Sequence, residues 1–100
     1  MQLEFDAELW IWAARQDESW TFVSLPPDAS EDIRHLTGGS TRRGFGAVRV
    51  EVRIGTTVWR TSIFPDAGRE AYVLPIKKAV RKAQKLDAGD TVRVALELVR

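Results

Sequence analysis

Residues 72–94, YVLPIKKAVRKAQKLDAGDTVRV, decide the fold because their pattern occurs twice in the chain. Tyr72-Val73-Leu74-Pro75 leads into a short helix ending at Leu86, a glycine-containing loop and the alternating strand Val92-Arg93-Val94. Phe22-Val23-Ser24-Leu25-Pro26 leads in the same way into a helix ending at Leu36, a glycine-rich loop and Val48-Arg49-Val50. The offset is about half the chain, so each half reads strand, strand, short helix, strand. One such unit cannot close its own sheet. Two units interlocked about a pseudo-two-fold axis can, which predicts a mainly β, small closed barrel of about six strands with two short helices. A chain of 100 residues is then a single domain, 1–100, with repeat halves at about 1–50 and 51–100.

Outward from that repeat, Leu3, Phe5, Ala7, Leu9, Ile11 and Ala13 alternate with polar residues and with Trp10 and Trp12, a period of two that predicts one long strand. Gln16 to Ser19 is a polar turn, and Trp20 to Leu25 returns as a strand. Asp28 and Glu31 have capping-box spacing at the head of the first helix. Residues 38–46 are a loop by composition. Gly55-Thr56 is a two-residue hairpin signal whose register sets Ile54 opposite Thr57, Val52 opposite Trp59 and Glu51 opposite Arg60. Pro65 to Gly68 reads as a turn, and Arg69 to Leu74 as the next strand. Pro75 suits the first turn of a helix carrying Ile76, Ala79, Val80, Ala83 and Leu86 on its apolar face.

Composition excludes several function classes. The chain is 44% hydrophobic and 29% charged, ordinary for a globular protein. It has no cysteine, so neither a disulfide framework nor a thiolate metal site, and one histidine, His35. No uncharged run approaches the roughly 18 residues of a membrane span, and no signal-peptide pattern opens the chain. The expectation is a cytoplasmic protein, monomer or homodimer, with no cofactor, no metal and no membrane contact. The net charge of +1 conceals an asymmetry. Residues 1–33 carry eight acids against Arg15 alone, residues 34–86 twelve bases against three acids. Such a split either polarises the surface or sets acidic strands beside basic ones.

The stretch Leu74-Pro75-Ile76-Lys77-Lys78 through Gly89-Asp90-Thr91-Val92 is similar to the half-barrel of AbrB-type regulators and MazE-type antitoxins. Nearly the whole chain, about 3–98, resembles the bacterial domain-of-unknown-function family numbered 1905. The resemblance is carried by Phe5-Asp6-Ala7, Leu25-Pro26, Arg43-Gly44-Phe45-Gly46, Trp59 to Asp66 and the segment from Tyr72 to Asp90. It implies a double-split β-barrel and leaves the chemistry open.

Two basic clusters are the candidate binding residues. Lys77, Lys78, Arg81, Lys82 and Lys85 are spaced along one face of the second helix, whereas the equivalent first helix carries Asp28, Glu31 and Asp32. Arg42 and Arg43 stand among glycines in the loop before the third strand. Both suit a polyanion, nucleic acid or an acidic protein, held weakly and in a salt-sensitive way. A lysine run is also how a helix keeps a solvated face. The alternative is a small-molecule pocket at the barrel mouth near Arg60, Phe64 and Arg69, with or without a hydrolytic role. His35 with Asp32 and Ser40 is the only local trio of catalytic residue types, and no motif joins it to a mechanism. A non-catalytic binding module is therefore the expected function. Trp10 and Trp12, opposite Leu9 and Ile11, are either covered or form an interface.

Overall fold

The computed structural model describes residues 2–11, 21–36, 47–66, 68 and 71–99. Trp12, the 16–19 turn, Trp20, the 38–46 loop with Ser40, Arg42 and Arg43, and Arg69 lie outside the described residues.

The hairpin of β4 (Val48–Ile54) and β5 (Thr57–Asp66) bears out the expected register, with Ile54 opposite Thr57, Val52 opposite Trp59 and Glu51 opposite Arg60. Gly55 takes φ +60 at the first turn position, where a type II′ turn needs it. Arg60 Nε donates to Glu51 Oε1 at 3.2 Å on the outer face, and Trp59 is buried on the inner one.

β5 serves two neighbours in succession. Up to Ile63 it pairs with β4, and from Phe64 to Asp66 it pairs with β6 (Ala71–Pro75), setting Phe64 opposite Val73 and Asp66 opposite Ala71. The two-residue turn makes Ile54–Thr57 a mutually hydrogen-bonded pair, so odd residues of β5 direct their backbone groups at β4 and even residues at β6. Pro65, an odd residue, therefore lacks its amide on the side where the β4 ladder has already ended. This corrects the expected turn at Pro65: the residue belongs to the strand, opposite Tyr72, and costs it no hydrogen bond. The turn comes after it, where the Gly68 N–H donates to Asp66 Oδ1 at 3.0 Å.

Pro75 also ends a strand instead of opening a helix. It lies opposite Phe22 of β3 (Thr21–Ser24), and the next N–H, that of Ile76, donates to Thr21 O at 2.8 Å. That bond keeps the chain extended past the proline, and α2 (Lys78–Gln84) begins only after Lys77. The helix is turned accordingly: Val80 and Arg81 are buried, whereas Ala79 and Ala83 of the expected apolar face are exposed. At its far end Gln84 Nε2 donates to Thr57 Oγ1 at 2.8 Å, which docks α2 on the hairpin turn.

The long first strand divides. β1 (Gln2–Glu8) pairs with β7 (Thr91–Leu98), whereas β2 (Trp10–Ile11) pairs with β3. Leu9 between them gives both backbone groups to the turn ahead of β7: its N–H donates to Asp90 O at 2.9 Å and its carbonyl accepts from Gly89 N–H at 2.8 Å. The strand order is β1-β7-β4-β5-β6-β3-β2. The result is a curled seven-stranded sheet, an open half-barrel with two helices. The strand count exceeds the expected six because the chain changes partner at Leu9.

α1 (Pro27–Leu36) starts one residue before the expected cap. Asp28 is inside the first turn, accepting from the Ala29 N–H at 2.9 Å, because the Ser30 N–H already bonds Pro26 O. Ser30 and Ile33 face the sheet, and Ser30 Oγ accepts from the buried Tyr72 N–H at 2.9 Å. The core consists mainly of β-branched and leucine side chains, among them Val50, Val52, Ile63, Leu74, Val94 and Leu96. The acid-rich N-terminal strand is partly neutralised from β7. Arg93 reaches Glu4 and Asp6 at 3.3 Å, and the bonds to Asp6 and then Glu4 raise its pKa above the ordinary arginine value.

Three stability measurements check these assignments. Ser30→Ala strands the Tyr72 amide and is expected to cost about 1–3 kcal/mol in urea unfolding; a neutral result would show that α1 is not anchored there. Gly55→Ala places a Cβ against the Gln84 amide in a positive-φ position and is expected to cost about 1–3 kcal/mol, less once Gln84 is also replaced by alanine. The Glu51–Arg60 pair is exposed, so a double-mutant cycle to alanine is expected to give a coupling of no more than about 1 kcal/mol, with zero arguing against the contact.

Candidate functional site

α2 presents its charge in a narrower set than the spacing predicts. Lys77, at the N-cap with extended backbone, and Lys78, Lys82 and Lys85 are all exposed. Arg81 is not on that face. It is 7% exposed, and its Nε donates to Ile76 O at 3.1 Å, which holds the carbonyl just ahead of the helix. The inward turn of Val80 carries its neighbour with it, and this corrects the five-residue set to four lysines. Lys85 closes the helix in the left-handed region, φ 57 and ψ 52, with the next amide, that of Leu86, bonded to Arg81 O. On α1 the exposed charges are Asp28, Glu31 and Asp32, followed by Arg34 and His35 in the last turn. His35 and Asp32 are both exposed at the surface, and no group of metal-ligating side chains occurs among the described residues.

A second feature lies where β5 leaves β6. Continuing their register past Phe64–Val73 would set Ser62 opposite Pro75, Thr61 opposite Ile76 and Arg60 opposite Lys77. The ladder does not continue. The amides of Leu25 and Ile76 bond Tyr72 O and Thr21 O, so even residues of this segment face β3 and odd ones face β5. Pro75 is odd, and the N–H that would extend the ladder to β5 is the one that proline lacks. The strands part there, and a hollow of about 310 Å³ fills the split. Its apolar walls are Phe22, Trp59, Phe64, Pro75 and Ile76. Arg60 and Lys77 supply positive charge, and Thr21 and Thr61 complete the lining.

Arg60 and Phe64, named for a pocket at the barrel mouth, both line the split together with Lys77 of the basic set, and Arg69 lies outside the described residues. Phe22 and Trp59 were not singled out by that reading. The signal that could have found them is the position of Pro75 in the strand register. Trp10 is covered: its ring lies 5.1 Å from that of Phe22, and its Nε1 donates to Ser24 Oγ at 3.0 Å. A larger hollow, about 380 Å³, lies beside β1, β4, β5 and β7, and Glu4, Glu51 and Glu97 outnumber Arg53 around it. That balance does not suit an anion.

No helix among the described residues is long and apolar enough to cross a membrane. No curated protein matches the chain. A family model described as "Domain of unknown function (DUF1905)" matches residues 5–96, the curled sheet and both helices included. The chain belongs to the DUF1905 family.

Proposed function

We propose that the protein is a non-catalytic, cytoplasmic binding module that contacts polyanions, single-stranded nucleic acid foremost, through Lys77, Lys78, Lys82 and Lys85 of the α2 segment. One observation supports this reading. Two helices at equivalent places in the repeat expose charge of opposite net sign, lysines on α2 and, on α1, Asp28, Glu31 and Asp32 with Arg34 and His35 only in the last turn. The fold asks for no such difference, since solubility would be met by mixed charge on both. The same asymmetry disfavours a symmetric duplex operator, which would call for two equivalent basic surfaces. Arg42 and Arg43 belong to the proposal as a second contact. The curled sheet is read here as the two interlocked halves of a double-split barrel, in one domain.

The test is an amide nitrogen–proton titration with a short single-stranded oligonucleotide. Shifts are expected along residues 77–86. Four lysines on four phosphates give a salt slope of about −2.8, or roughly fifty-fold weaker binding between about 50 and 200 mM salt. Reversal of Lys78, Lys82 and Lys85 to glutamate is expected to abolish the response. Affinity indifferent to salt, or shifts that avoid α2, would refute the reading.

A further inference from the structure

We propose that the split between β5 and β6 is a separate binding site for a small planar aromatic molecule bearing one anionic head group. The opening is favoured by the sequence, because the missing amide of Pro75 removes one of the two bonds that a Ser62–Pro75 pair would make. Beyond the last pair, the parity of β5 turns the backbone N–H and C=O of Arg60, which lines the split, away from β4, and β6 offers them no ladder partner. A bound molecule meets backbone donors there without first displacing a strand.

The walls favour an aromatic guest. Phe22 and Phe64 offer rigid surfaces on which a flat ring stacks with little loss of side-chain entropy, and Trp59, 9% exposed, lines the split beside them. Phe64 is 37% exposed at the rim, where a polar residue would serve a plain surface better. The volume, about 310 Å³, is at the lower end of ligand pockets and suits one or two rings.

The charge selects an anion. Arg60 and Lys77 line the split, and no acid does so among the described residues. Among the described residues Arg60 is held by Glu51 alone, in a pair whose side chains are 61% and 39% exposed. Such a pair contributes little, so the guanidinium can exchange Glu51 for a guest. A carboxylate and a phosphate share this chemistry. The inference does not rest on the polyanion reading: Lys77 is common to both, but Lys78, Lys82 and Lys85 line no part of the split.

The full chain is titrated, by the same amide spectra, with naphthoate, naphthyl phosphate, naphthalenemethanol and inorganic phosphate. The two aromatic anions are expected to give saturable millimolar shifts at Phe22, Thr61, Phe64, Ile76 and Lys77, as befits fragments of this size. Neutral naphthalenemethanol should bind at least about fivefold more weakly, and inorganic phosphate should not saturate there. Lys77→Gln is expected to weaken both aromatic anions about three- to tenfold and leave naphthalenemethanol unchanged. Phe64→Ala, at an exposed position the core does not need, should weaken all three aromatic probes. The triple glutamate variant of Lys78, Lys82 and Lys85 should retain naphthoate binding while losing the oligonucleotide, which separates the two sites. Whichever anion binds tighter identifies the head group. Equal binding of naphthoate and naphthalenemethanol, shifts outside the split, or none up to about 10 mM probe, would overturn the proposal.

Discussion

A β-residue can offer its amide and carbonyl to only one neighbour, and its parity along the strand decides which. In this protein that constraint is concentrated on β5. Its odd residues serve β4 and its even residues serve β6, so one ten-residue strand ties two parts of the sheet together. The prolines sit where this accounting leaves an amide unnecessary. Pro65 lacks one on the side β4 has already left, and Pro75 lacks the one that would bring β6 back to β5. The first lets the strand run on and the second makes the strands part. The pocket is the gap that remains, with aromatic walls from Trp59 and Phe64 of β5 and Phe22 of β3.

The two helices show how the same scaffold position can be used differently. Each follows a Leu-Pro step, and each is fastened to the sheet by a polar side chain: Ser30 of α1 bonds the Tyr72 amide, and Gln84 of α2 bonds Thr57. Arg81 adds a third fastening, from inside, to Ile76 O. With anchoring met by these inward groups, the outward faces are free to differ, and they differ in sign.

Where the determinants were local, the sequence was legible. The Gly55-Thr56 turn fixed seven cross-strand pairs because a two-residue loop admits one register. The repeat located both helices to within a few residues. What escaped was decided at a distance. Polar–apolar alternation runs from Gln2 to Leu9 and gives way there to the apolar run Trp10-Ile11-Trp12-Ala13, but that change does not say that the Leu9 backbone is taken by Gly89 and Asp90. Arg81 lies in a run of lysines and reads as surface; its burial follows from the late start of α2, which in turn follows from the bond between Ile76 and Thr21. Ser30 reads as a polar helix residue until Tyr72 is brought beneath it. Of the candidate site, Arg60, Phe64 and Lys77 were visible, and the rest depended on seeing Pro75 as the end of a ladder instead of the beginning of a helix.

The strand order also sets the order in which the chain can fold. The first strand finds its partner in the last, with Gln2 opposite Glu97, while β4 lies between β5 and β7. The β4–β5 and β5–β6 pairings close over short connections, whereas β1–β7, β4–β7 and β3–β6 are rewarded only after a long stretch of chain has been immobilised, which makes folding slow relative to helical proteins of this size. During synthesis β1 and one edge of β4 wait unpaired until β7 leaves the ribosome, and β3 waits for β6. The N-terminal half is consequently the part of the molecule most prone to wrong pairing with its neighbours. Supplied with the missing half as a separate chain, it would find there the complementary strands that it lacks.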